Sequence, residues 1–163
     1  ANIMIRSGDF DAEFARRWTN GPFLVRSDNG RFLRAGDLGD GEAADTLLAA
    51  GPDNQLLRYD PAAGRWLDDP AAATLDTSHT ASGRDGPITC RSAFGVFADL
   101  AAEFTPERVE TLCGIPSETL QHAARLLTAS SSVAYYAWNG VGQSPSATQT
   151  DRAISILYAL TGS

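Results

Sequence analysis

Ser130-Ser-Ser-Val-Ala-Tyr-Tyr-Ala-Trp138, then Asn139-Gly-Val-Gly-Gln143, then a helical pattern running to Leu160-Thr-Gly-Ser163, is the stretch on which the reading of the fold turns. Residues 133–138 are a short apolar run of aromatic and β-branched side chains, which suits a strand buried on both faces. Asn139, Gly140 and Gly142 tolerate positive φ and predict a sharp turn. Beyond it, Ala153, Ile154, Ile156, Leu157, Tyr158 and Leu160 recur at helical spacing, and Gly162 falls where a helix C-cap is expected. Strand, glycine turn and helix make half of a βαβ unit, so the predicted class is α/β.

Such a turn lies at the carboxyl end of a strand, where open α/β sheets bind ligands. The helix that follows directs its free N–H groups and the positive end of its dipole to the same place, which favours phosphate. The motif is not a dinucleotide fingerprint, because Pro145 follows Gly140-Val-Gly142 where a third glycine is needed. On residue chemistry alone, a plain buried turn and a ligand loop both stand.

Outward from this stretch, 163 residues suffice for a substantial core. The net charge of −7 argues against a general nucleic-acid or anionic-membrane surface, which needs clustered cations. All 13 basic residues are arginine, which with abundant Ala, Gly and Asp reads as the imprint of a GC-rich genome. Cys90 and Cys113 are too far apart for a CxxC site and lack neighbouring ligands, so two reduced, mostly buried thiols are expected. No run approaches a membrane span, and no secretory signal opens the chain. Ala1-Asn-Ile-Met-Ile5 reads as a helix entered halfway and Ser163 follows directly on a cap, so both ends read as cut.

Residues 9–18 predict a short helix with Asp9 or Asp11 as N-cap and a core-facing stripe of Phe10, Phe14 and Trp18. Two hairpins follow: Phe23-Leu-Val-Arg26 and Arg31-Phe-Leu-Arg34 around Ser27-Asp-Asn-Gly30, then Gln55-Leu-Leu-Arg-Tyr59 and Arg65-Trp-Leu67 around Asp60-Pro-Ala-Ala-Gly64. Residues 68–87 show no periodicity and predict an extended connection, in which His79 is a solvent-facing loop residue. Helices are expected from Ser92 to Phe104, from Thr105-Pro106 to Gly114, and from Ile115-Pro116 onward, the last with Leu120, Ala123, Ala124 and Leu127 inward. His122, alone on that helix, is read as a surface residue, because one imidazole is no site.

Three blocks in order carry a resemblance: Arg16-Arg-Trp-Thr-Asn-Gly-Pro-Phe-Leu-Val-Arg26; Phe104-Thr-Pro-Glu-Arg-Val-Glu110 with Gly114-Ile-Pro116; and Tyr135-Tyr-Ala-Trp-Asn-Gly-Val-Gly-Gln143 with Ala147-Thr-Gln-Thr-Asp-Arg-Ala-Ile154. Together they resemble the molybdopterin-guanine-dinucleotide oxidoreductases, which include formate dehydrogenases, nitrate reductases and thiosulfate or polysulfide reductases. The resemblance implies an internal fragment, residues 1–163, of a larger catalytic subunit with a partial Rossmann-like three-layer domain and two β-hairpin excursions. Residues 1–20 would be its helical start, 21–90 its hairpins and loops, and 91–163 its helices, central strand, glycine turn and closing helix.

The cofactor so implied is molybdopterin guanine dinucleotide with molybdenum or tungsten, and an iron–sulfur cluster is possible outside this segment. Residue by residue, Gly140, Gly142, Gln143 and Arg152 match the family's cofactor-binding turn and the helix after it. Gln143 could equally bond backbone, and Arg152 is read first as a helix-surface or interdomain ion pair and second as a cofactor contact. Thr148 and Asp151 are read as dipole partners in the first helical turn. No catalytic residue and no metal ligand transfers, so the fragment alone is expected to be inactive. The implied partners are the rest of the same subunit and electron-transfer subunits, with no nucleic acid and no membrane contact by this segment. Two alternatives remain: a non-catalytic α/β interaction module, and a simple nucleotide-phosphate binder.

Overall fold

The computed structural model describes residues 1–136 and 138–162. Among them run seven α-helices and six strands, and the chain divides into two compact units, Ala15–Asp99 and Ala1–Phe14 with Leu100–Ser163. The fold is mixed α/β, with two small antiparallel sheets.

Both sheets lie in the Ala15–Asp99 unit. In one, β1 (Leu24–Arg26) and β5 (Ser78–Gly83) flank β6 (Gly86–Ser92); in the other, β2 (Leu47–Ala50), β3 (Leu56–Asp60) and β4 (Arg65–Trp66) run in order. Single bridges, Phe23 to Ala49 and Arg34 to Leu47, stitch residues around β1 to β2. All four residues of β2 are buried. Leu48 and Ala50 pack with Leu24, Leu33, Ala81 and Cys90, while Leu47 and Ala49 pack with Phe23, Leu57 and Ala73. Alternate side chains of a strand point to opposite faces, so β2 feeds two cores at once, which requires Leu-Leu-Ala-Ala rather than an apolar–polar alternation.

Both predicted hairpins return the chain as expected. Gly64 takes φ 64° at the β3–β4 turn, and Tyr59 faces Trp66 across it. The first hairpin is held by one bridge, Val25 to Phe32, with the Arg26 N–H on the Arg31 carbonyl and the Leu33 N–H on the Leu24 carbonyl, while the other edge of β1 pairs with β6. The connection expected over residues 68–87 is instead partly sheet: β5 and β6 form a hairpin around Arg84 and Asp85. Ser78-His-Thr-Ala-Ser-Gly83 alternates exposed and buried, but its small polar residues hide that period from a hydrophobicity reading. His79 is therefore not a solvent-facing loop residue. It is 6% exposed in β5, opposite Cys90 in β6, and burial pushes its imidazole pKa down and the Cys90 thiol up. Ser92, fully buried, accepts at Oγ from the Thr77 and Gly95 N–H groups, which ends β6 and starts α3 (Ala93–Ala102).

The other unit is helical, and the helix that begins at Ala12 runs on past residue 14 into the Ala15–Asp99 unit. Helix α1 (Asn2–Ser7) closes at Gly8 in the left-handed region. Asp11 Oδ1 accepts from the Phe14 N–H at 2.8 Å and caps α2 (Ala12–Trp18), as one of the two predicted caps. The aromatic stripe of α2 is not a core stripe along its length, since Trp18 is 75% exposed. Helix α4 (Pro106–Cys113) begins at Thr105, whose hydroxyl accepts from the Arg108 N–H, and ends at left-handed Gly114. Helix α5 (Ser117–Ala129) has no buried residue: Leu120, Ala124 and Leu127 are only half-buried, and Ala123 is exposed. Cys90 and Cys113 are free cysteines, the second exposed rather than buried. No helix among the described residues is long and apolar enough to cross a membrane.

Candidate functional site

The predicted helix after the turn is α7 (Ala147–Thr161). Its one fully buried residue is Leu160, whose carbonyl accepts from the Asp11 N–H at 2.8 Å. Gly162 ends it at φ 72° with its N–H on the Tyr158 carbonyl, and a Cβ there would collide with Asp11 Oδ2. Only glycine satisfies both conditions.

At the other end of α7 the predicted turn takes a different form. Asn139–Gly142 is a single helical turn, α6, closed by the Gln143 N–H on the Asn139 carbonyl at 3.1 Å. Gly140 and Gly142 are not among the positive-φ glycines, so the backbone needs no glycine at either place. What their lack of a side chain provides is room, because a Cβ built on either meets nothing within 4 Å. Gln143 is exposed at φ −90°, ψ −3°. Ser144 Oγ accepts from the Ser146 N–H, and its carbonyl from that of Ala147. Among the described residues the N–H groups of Thr148 and Gln149, in the first turn of α7, have no acceptor. Arg152 is exposed, with no ion pair to any described residue, and Thr148 shares its helix face four residues before it.

The strand expected before the turn does not form. Residues 133–136 and 138 belong to no ladder, and Ala137 of that predicted strand lies outside the described residues. A strand exists only through its neighbours, and every strand among the described residues is in the antiparallel sheets of the Ala15–Asp99 unit. Tyr135 rests on Tyr158 of α7 with ring centroids 5.9 Å apart, and burial raises the Tyr158 hydroxyl pKa. Tyr136 and Trp138 have no such ring contact among the described residues and are 93% and 87% exposed.

The stretch thus brings Gly140, Gly142 and Gln143 together in one turn and sets Arg152 nine residues further along, with no hydrogen bond joining Arg152 to the other three. The chemistry on offer is two helix N–H groups, a carboxamide and a guanidinium without partners among the described residues, with open space beside Gly140 and Gly142: groups that bind anions and planar polar rings. Sequence reasoning finds neither the free N–H pair, since Ser146 is a favoured N-cap residue whose side chain nonetheless makes no cap hydrogen bond, nor the unsupported aromatic pair.

Known proteins align with the chain end to end. It is 24% identical over 176 aligned residues to the respiratory nitrate reductase subunit alpha of Haloferax mediterranei, and 23% identical over 171 to the dimethylsulfide dehydrogenase subunit alpha of Rhodovulum sulfidophilum. It is similar to a section of oxidoreductase alpha subunits. Each alignment takes in 99% of the chain, which spans 18% of the length of each relative. No family model matches the chain.

Proposed function

We propose that this chain is a cofactor-cradling section of the catalytic subunit of a molybdenum or tungsten bis-pterin oxidoreductase. The observation that carries the reading is the similarity, over 99% of the chain, to two alpha subunits named for redox reactions. The guanine-dinucleotide form of the cofactor and the Rossmann-like setting rest on the motif resemblance at residues 135–154.

The residues present fit the dinucleotide tail of such a cofactor. At Gly140 and Gly142 nothing of the chain fills the space beside the backbone, so a flat or phosphorylated group can approach main-chain atoms closely. Arg152 offers the fork that pairs with phosphate oxygens, and the Thr148 and Gln149 N–H groups add to the same anion preference. The Gln143 carboxamide can both donate and accept, which suits the edge of a pterin or guanine. When bound, the metal–pterin group supplies two-electron redox or oxygen-atom transfer. The work of this section is to bind and orient the tail. Residues 133–138 then form the strand that precedes the turn, between neighbours from the rest of the subunit. The name "alpha subunit" in both relatives supports further subunits that pass electrons.

The test is the pterin and metal content of the longer polypeptide. The wild type retains pterin and molybdenum or tungsten through purification, whereas Arg152→Ala with Gln143→Ala loses most of both while remaining folded by circular dichroism. Full retention by the double variant would remove these residues from the site. A folded wild type without pterin would remove the function.

A further inference from the structure

Across the first sheet, Arg26 of β1, Cys90 of β6 and His79 of β5 stand in one row, with Cys90 in the middle. Directly opposed residues of an antiparallel pair share a face, their Cβ atoms about 4.5–5.5 Å apart. The shared face is the buried one, since Cys90 packs with Leu24, Leu48 and Ala81 and is 1% exposed. His79, 6% exposed, makes no side-chain hydrogen bond to any described residue. The charged groups around this face are committed to one another. Asp37, from the 3-10 turn Ala35–Leu38 that packs on β5, holds Arg26 through Oδ1 at 2.6 Å and the Arg34 N–H through Oδ2 at 2.9 Å. Asp28 takes the rest of the Arg26 guanidinium with both of its oxygens. Arg91, next to Cys90 along β6, points to the other face and pairs with Asp76 and Asp99. From β2 come only Leu48 and Ala50.

We infer that the β5–β6 hairpin is an acid-operated cover over Cys90: a proton on His79 lifts β5 and opens the thiol to modification by small disulfides. An imidazolium on this face meets the Arg26 charge and no uncommitted carboxylate among the described residues, and a buried charge without a partner is costly. The strand that yields is β5, an edge strand whose only ladder among the described residues is with β6. β6 keeps its second ladder, with β1. In the closed hairpin, burial lowers the His79 pKa and raises that of Cys90, so the pair is neutral imidazole and thiol rather than an ion pair. Closed, the thiol is therefore both covered and unreactive. The cofactor turn lies in the other unit and takes no part.

The probe is 4,4′-dithiodipyridine, a disulfide that still reacts with thiols in weak acid. The cysteine sulfur attacks one sulfur of the probe, the S–S bond breaks, a mixed disulfide forms and 4-thiopyridone leaves with the thiol proton. In the 163-residue chain, Cys113→Ser reports Cys90 alone, and Cys90→Ser reports the exposed Cys113 as the reference for the reagent's own pH dependence. At pH 7.5, Cys90 reacts at least about a hundredfold more slowly than Cys113. At pH 5 the gap narrows by about three- to thirtyfold, the upper figure being what one proton taken up below about 6.5 can supply. His79→Gln, combined with Cys113→Ser, holds the gap constant. Amide exchange in the unsubstituted chain decides the matter even where that variant folds poorly. Relative to their unprotected rates, the slowest amides of β5 exchange at least about tenfold faster at pH 5 than those of β2 and β3. Three results would each overturn the inference: a gap that narrows by less than about threefold, the same narrowing in the His79→Gln chain, or equal protection in the two sheets, which leaves global unfolding as the route to Cys90.

Discussion

The two units of this chain treat their apolar residues in opposite ways. In Ala15–Asp99 the strands and loops bury Phe23, Leu24, Leu33, Leu47, Leu48 and Leu57 in two cores that share β2. In the helical unit, α5 buries nothing fully, Leu112, Leu126, Tyr136 and Trp138 are exposed, and an apolar segment with strand chemistry runs without a ladder. The contrast teaches that the second unit leaves more of its apolar side chains uncovered among the described residues. The proposed place of the chain within a longer subunit would supply neighbours to cover them.

Core substitutions should break the comparison hardest. Leu48→Ala, in a side chain 3% exposed between β2 and the first core, is expected to cost about 2–5 kcal/mol in urea unfolding. Leu126→Ala, 56% exposed on α5, should stay within about 0.5 kcal/mol. Equal losses would erase the distinction between the units. Next in size is Gly162→Ala, which forces a Cβ onto Asp11 at positive φ and should lower stability by roughly 1–3 kcal/mol, read from the helical signal during unfolding.

The strand unit should also carry a pH dependence of its own. Burial lowers the His79 pKa, so the unfolded chain takes up this proton first. Its contribution is therefore complete above the unfolded value of about 6.5 and is lost as pH falls from there through the folded pKa, by at most about 1.4 kcal/mol per pH unit. His79→Gln should flatten the slope between pH 7 and 5; an unchanged slope assigns it to other groups. The smallest effect is expected at Tyr136→Ser. It should leave the 163-residue chain within about 0.5 kcal/mol but destabilise the longer polypeptide measurably, where the ring gains neighbours.

Features decided within a few residues were legible in the sequence: Asp11 and Thr105 as caps, Gly114 and Gly162 as left-handed ends, and the β3–β4 turn at Gly64. Features decided by distant partners were not. Leu47–Ala50 has the composition of a helix and becomes a strand because two cores close on its two faces. Thr80 and Ala81 of β5 take their conformation from Thr89 and Ile88 of β6. At the candidate site the glycines were found for the wrong conformational reason: they sit in a helical turn, where openness rather than positive φ distinguishes them. Residues 133–138 carry a strand pattern, yet residues 133–136 and 138 join no ladder among the described residues.

Amide hydrogen exchange over residues 131–138 puts the central claim most directly, measured in the 163-residue chain and in the longer polypeptide loaded with cofactor. The account predicts exchange near the unprotected rate in the short chain, and protection by about a hundredfold or more in the longer one, as expected of a strand in a sheet. Equal exchange in the two would contradict it.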